Sequence, residues 1–147
     1  ASSSTPDTDF FIVLRVFSGD MKEIVFQGAI DPHTPIGQGW LRASHRKLDK
    51  KLSTPYRPYH THDEKQPLKK GQTVELDIEI WPSGTRFEKG EKLRLIVQGS
   101  DINQYPKDRA FVYFRHEDSV NNGRHVIHAG GQHGSYLLVP VVCQESV

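Results

Sequence analysis

Val74-Glu75-Leu76-Asp77-Ile78-Glu79-Ile80-Trp81 alternates apolar residues with acidic ones, and Trp81 closes the polar register. Successive side chains of an extended chain point to opposite faces, so this spacing predicts a strand with one core face and one acidic, solvated face. Lys70-Gly71 before it and Pro82-Ser83-Gly84 after it supply turn chemistry at both ends. A second strand is predicted at 92–98, with Leu93, Leu95 and Val97 on one side. Residues 10–17 are apolar on both faces, as a central strand is. Stretches 23–27, 39–44, 111–115, 124–128 and 136–142 complete a predicted set of eight. Pro140 has no N–H to give an inner ladder, which places the last near an edge or a strand end. The helical candidate, 44–52, clusters its charges without an apolar stripe. Short strands between Gly/Pro turns, with no strand–helix–strand alternation, predict an all-β, antiparallel sandwich or barrel.

Outward from these strands lie two long stretches. Residues 47–70 hold Pro55, Pro58 and Pro67 and few large aliphatics, and read as an ordered surface excursion pinned by Tyr56 and Tyr59. Residues 101–109 and 117–123 flank the predicted 111–115 strand, making 101–123 a second long surface loop. The opening Ser2-Ser3-Ser4-Thr5 is a short low-complexity run. At 147 residues the chain makes a single domain, 1–147. A core of that size buries roughly 68–70% of the unfolded surface and needs no disulfide or metal.

Composition excludes several classes. With 35% hydrophobic and 25% charged residues the chain is globular rather than disordered. No run nears the ~18 apolar residues of a membrane span, and no leader pattern opens the sequence. A net charge of +1 gives no long-range field for nucleic acid or an anionic membrane. The lone Cys143 excludes an internal disulfide and a Cys-rich zinc site. With no Asn-x-Ser/Thr acceptor, it points towards a reducing, cytoplasmic setting.

Candidate chemistry is sparse. A serine hydrolase of the α/β type needs its nucleophile on a strand-to-helix elbow, usually Gly-x-Ser-x-Gly, and no such pentapeptide occurs. Ser135, in His133-Gly134-Ser135-Tyr136, enters a predicted strand, so no catalytic residue is assigned. His60-Thr61-His62, beside Asp63 and Glu64, spaces two imidazoles to one side of an extended chain. His125, His128 and His133 form a second group. Two histidines and a carboxylate can hold zinc or iron. However, the first pair lies in a Pro-rich loop and the second has odd spacing, so both read as surface and hydrogen-bonded histidines, with no metal or cofactor. Trp40 and Trp81 are the residues that could stack on a sugar ring, against the simpler role of packing at a sheet edge. Arg46, Lys47, Lys50 and Lys51 are interrupted by Asp49 and later acids, as on a solvated face.

Specific motifs narrow the reading. Gly39-Trp40-Leu41-Arg42-Ala43-Ser44-His45-Arg46, followed by Ser53-Thr54-Pro55-Tyr56-Arg57-Pro58-Tyr59-His60, resembles the C-terminal domain of X-Pro dipeptidyl-peptidase-type and cocaine-esterase-type serine hydrolases. Stretches 74–81, 87–99 and 125–141 match the same domain. Asp7-Thr8-Asp9-Phe10, Gly99-Ser100-Asp101, Gly130-Gly131 and Ser135-Tyr136-Leu137-Leu138-Val139-Pro140 are the most specific, and the resemblance spans nearly the whole chain. It implies a jelly-roll sandwich of galactose-binding-like topology behind an α/β-hydrolase domain, which supplies nucleophile, base and acid. The jelly roll then buttresses its partner, the α/β-hydrolase domain, and walls part of the substrate cleft.

Such domains carry one more strand before the Asp7-Thr8-Asp9-Phe10 motif. The chain is therefore expected to lack its first strand, as a fragment of a longer protein, and its open edge favours a homo-oligomer. Stretch 102–122 is longer than the resemblance leads one to expect. Trp40, Arg42, Ser44 and His45 are the candidate contacts with the hydrolase domain, against a purely stabilising role. The competing function is a stand-alone carbohydrate- or ligand-binding module using Trp40 and Trp81; a small metalloprotein is the third.

Overall fold

The nine residues Asp9–Phe17 are buried on both sides, all but the half-buried Arg15, and the rest of the fold is arranged around them. The computed structural model describes residues 1–28, 33–102 and 119–142. In chain order its strands are β1 (Ser2–Ser3), β2 (Asp9–Phe17), β3 (Glu23–Ile24), β4 (Gly37–Arg42), β5 (Lys92–Gln98) and β6 (His125–Val126), with one 3-10 turn at Ala43–His45. Every strand pairing is antiparallel. Among the described residues the protein is all-β, as its turn-punctuated sequence predicts.

β2 takes β5 along one edge, from Phe11 opposite Gln98 to Phe17 opposite Lys92. The other edge is shared by β4, with Asp9 opposite Arg42 and Leu14 opposite Gly37, and by the short β3 beyond it. On both faces of β2 the apolar side chains, Phe10, Phe11, Ile12, Val13, Leu14, Val16 and Phe17, are buried. Each contributes roughly 1.5–3 kcal/mol by leaving water.

A second, two-stranded sheet joins β1 to β6, Ser2 opposite Val126 and Ser3 opposite His125. β1 also bridges Thr73, and the Val74 amide donates to the Ala1 carbonyl at 2.8 Å. The serine opening, a low-complexity run by sequence, is thus a strand held on both sides.

Several predicted elements differ. Residues 74–81 form no strand, although their exposure alternates: Val74, Leu76 and Ile78 are half-buried while Glu75 and Asp77 are exposed. The segment runs beside β4, where the Trp81 amide donates to the Gln38 carbonyl at 2.9 Å. Side-chain alternation survives because it needs only an extended backbone; a ladder needs a continuous partner. Residues 136–142 also form no strand, and Tyr136, Leu138, Val141 and Val142 stand exposed. The strands predicted at 23–27, 39–44 and 124–128 are shorter or shifted, at Glu23–Ile24, Gly37–Arg42 and His125–Val126. At the helical candidate 44–52, which lacked an apolar stripe, only the 3-10 turn Ala43–His45 forms. The strand predicted at 111–115 lies outside the described residues, as does Cys143.

Residues 74–80 line a cavity of about 910 Å³ together with Phe10 and Ile12 of β2, Leu95 and Val97 of β5, Ile127 and Leu137. The 47–70 excursion is ordered, but not by its tyrosines: Tyr56 and Tyr59 are exposed. Backbone bonds hold it instead. The Asp49 amide donates to the Tyr59 carbonyl at 2.8 Å and the Thr61 amide to the Lys47 carbonyl at 3.1 Å. Its end is tied down by Gln66 to Ser44 and Leu68 to Pro6, each at 2.7 Å.

Candidate interface around Trp40

The register sets Trp40 of β4 directly opposite Phe11 of β2. Directly opposed aromatics on one sheet face stack, and here the rings lie 6.2 Å apart and within 18° of parallel. Phe11 is buried beneath, while Trp40 keeps 45% of its surface exposed. Two residues along, on the same face, Arg42 sits opposite Asp9. Its Nε and Nη2 donate to the two Asp9 carboxylate oxygens at 2.8 and 3.0 Å. Asp9 is only 2% exposed. Two charge-assisted hydrogen bonds thus compensate the burial of this carboxylate.

Ser44 lies inside. Its Oγ donates to Asp7 Oδ2 at 2.6 Å and its amide to Asp7 Oδ1 at 2.9 Å. The Thr8 amide donates to the same Oδ1 at 3.0 Å. His45 turns the other way, with its Nδ1 3.1 Å from His62 Nδ1 in the excursion. The four candidate contacts therefore have different surroundings, and Trp40 carries the exposed apolar surface.

The Asp7-Thr8-Asp9 run meets a residue that the sequence did not single out. Asn121 Oδ1 accepts from Thr8 Oγ1 at 2.9 Å and from the Asp9 amide at 2.8 Å. Its Nδ2 donates to the Asp9 carbonyl at 2.9 Å and the Gly99 carbonyl at 2.6 Å. The Val120 amide reaches Asp9 Oδ2 at 3.2 Å. Three motifs separate in sequence thus converge on one polar clamp below Trp40. Nothing local marks Asn121, because its partners at Thr8 and Asp9 lie more than 110 residues away along the chain and Gly99 lies 22 away.

Trp81 is 66% exposed. Six of the described histidines fall into two groups, His125, His128 and His133 in one and His45, His60 and His62 in the other. Ser3 Oγ lies 3.0 Å from His125 Nδ1, Ser2 Oγ lies 2.9 Å from His128 Nε2, and the His128 and His133 rings are 4.8 Å apart. His60 and His62 do share a side, with ring centroids 6.0 Å apart. Burial, and then the neighbouring His62, push the His60 imidazole below its ordinary pKa. Lys47 bonds both Glu64 and Asp63 at 3.1 Å, which raises its own pKa and, together with the Thr61 hydroxyl, lowers that of Asp63. The basic run beginning at Arg46 is accordingly tied to its neighbouring acids at Lys47. Ser135 Oγ donates to the His128 carbonyl at 2.7 Å, a structural bond at a chain reversal.

Residues 1–138 match the family described as the X-Pro dipeptidyl-peptidase C-terminal non-catalytic domain. The chain belongs to this family. Among solved structures, this X-Pro dipeptidyl-peptidase C-terminal domain is similar to a CocE/NonD family hydrolase from Staphylococcus aureus, seen in two crystal structures. Each gives a TM-score of 0.76 at 31% identity. The likeness covers 83% of the domain in one and 84% in the other, and 22% of the hydrolase chain in both. No curated protein matches the chain. The resemblance carried by residues 39–46 and 53–60 is therefore correct at the level of the family.

Proposed function

We propose that this non-catalytic domain packs against the α/β-hydrolase domain of a serine hydrolase acting on esters or X-Pro peptides, bracing it and walling part of its substrate cleft, and that its strands follow a jelly-roll order. The observation that carries the docking reading is Trp40. A tryptophan 45% exposed, stacked on a buried phenylalanine and flanked by the ion pair of Arg42 with the buried Asp9, is a rigid apolar anchor. Support for the setting comes from the similar hydrolase, of which a unit of this size and fold is about a fifth.

In the natural full-length protein, Trp40→Ala is expected to lower Tm by about 4 °C or more, since truncating such an anchor costs about 2 kcal/mol. Trp81→Ala, which removes an equally large exposed ring, serves as the control. Equal Tm values for Trp40→Ala and the wild type overturn the docking role. A carbohydrate-binding module is the second reading, favoured by the exposure of both tryptophans, Trp40 and Trp81. It predicts quenching of tryptophan fluorescence on addition of sugar, lost in Trp81→Ala.

A further inference from the structure

His45, His60 and His62 are used neither by the polar clamp nor by the Trp40 face. His45 ends the 3-10 turn after β4, and the excursion brings His62 against it. The bridge between Leu48 and His60, with the Thr61-to-Lys47 bond beside it, fixes the height at which His62 stands. The Nδ1 atoms of His45 and His62 are 3.1 Å apart, their ring centroids 5.3 Å apart and their planes tilted by 42°. His62 is held at φ +52°, in the left-handed region that a residue with a β-carbon seldom adopts.

Two imidazole nitrogens bound to one zinc ion, each about 2.0–2.1 Å from it, stand about 3.3 Å apart at the tetrahedral angle and about 2.9 Å apart at a right angle. The observed separation, that of an N–H···N hydrogen bond, lies between these values, so both nitrogens can reach one ion that displaces the shared proton. We propose that His45 and His62 bind a divalent first-row cation of the zinc, nickel or copper class through their two Nδ1 atoms. Imidazole nitrogen suits these ions better than calcium or magnesium.

The adjacent carboxylates are already engaged, Asp63 by Thr61 and Lys47 and Glu64 by Lys47. Among the described residues no group of three or more histidine, cysteine or acidic side chains gathers in a metal-holding arrangement. The site is therefore a two-nitrogen chelate completed by water, open and exchangeable rather than closed and structural.

The test is zinc titration of the natural full-length protein after removal of metal with a chelator, read by competition with a chromogenic indicator. One zinc equivalent present in the wild type and weakened at least tenfold in both His45→Gln and His62→Gln supports the proposal. His128→Gln should retain it. Identical zinc uptake by the wild type and both variants overturns it. If a variant does not fold by circular dichroism, one equivalent of Cu²⁺ is added to the wild type and examined by pulsed electron paramagnetic resonance. Modulation from two imidazoles is expected, and its absence overturns the assignment.

Discussion

Asn121 uses its full hydrogen-bonding capacity: both lone pairs of Oδ1 and both N–H groups of Nδ2 are occupied. Replacing it by alanine strands a hydroxyl, an amide and two carbonyls around the start of β2. Each unmet buried group costs about 1–3 kcal/mol, with water recovering part of the loss at the exposed side. Asn121→Ala is therefore expected to lower stability by about 2–4 kcal/mol in urea denaturation. Asn121→Asp should cost as much or more, because it turns a carboxylate oxygen towards two carbonyls. A loss below about 0.5 kcal/mol, the level of an ordinary surface change, would show that the clamp is not structural. The Asp9–Arg42 pair beside it follows the same logic, since a carboxylate 2% exposed tolerates no loss of its counter-charge.

At the scale of elements, the contact between β4 and the 74–81 segment depends on Gly39. A β-carbon there would lie 2.0 Å from the Glu79 carbonyl oxygen, and that neighbour is backbone, which cannot swing aside. Gly39→Ala should push the segment off β4, accelerating hydrogen exchange at the Trp81 amide and destabilising the protein by about 3 kcal/mol. Unchanged exchange would mean that the segment is held from elsewhere. This contact also explains what could be read from the sequence. β2 was legible because its burial is written into consecutive residues, and β5, none of whose residues is buried, through the alternation of Leu93, Leu95 and Val97. Residues 74–81 wrote their exposure pattern just as clearly, but alternation reports which way side chains face and not whether a neighbour completes the ladder. Residues 136–142 have strand composition and remain exposed, since strand preference depends on what packs against it. Of the candidate site, Trp40 and Arg42 could be picked out by motif. Their differing surroundings, and the part played by Asn121, arise from register and long-range folding.

For the molecule as a whole, acid should act partly through Glu23. This carboxylate accepts from Arg15 and from His33 Nε2, both at 2.7 Å. Burial works to raise its pKa, but the bonds to His33 and Arg15 outweigh it and the net shift is downward. A carboxylate depressed in the folded state stabilises the fold above its unfolded pKa, near the ordinary 4.5, and that contribution is lost as pH falls through the lower folded value. Wild type and Glu23→Gln should therefore differ in stability at pH 6 and converge as pH falls below about 4. A difference that stays constant from pH 6 to pH 3 would assign the effect to packing rather than charge.

β1 has a consequence for how the protein is made. Ser2 and Ser3 find their strand partners at Val126 and His125. A chain emerging from the ribosome N-terminus first exposes this segment long before that partner exists. Closing a loop of more than a hundred residues is slow relative to local pairing. β2, β3 and β4 can assemble early, β5 joins when residue 98 is free, and the two-stranded sheet closes last. Until then the first residues can pair only with the Thr73–Val74 stretch, and their other edge stays open to a protease or a chaperone.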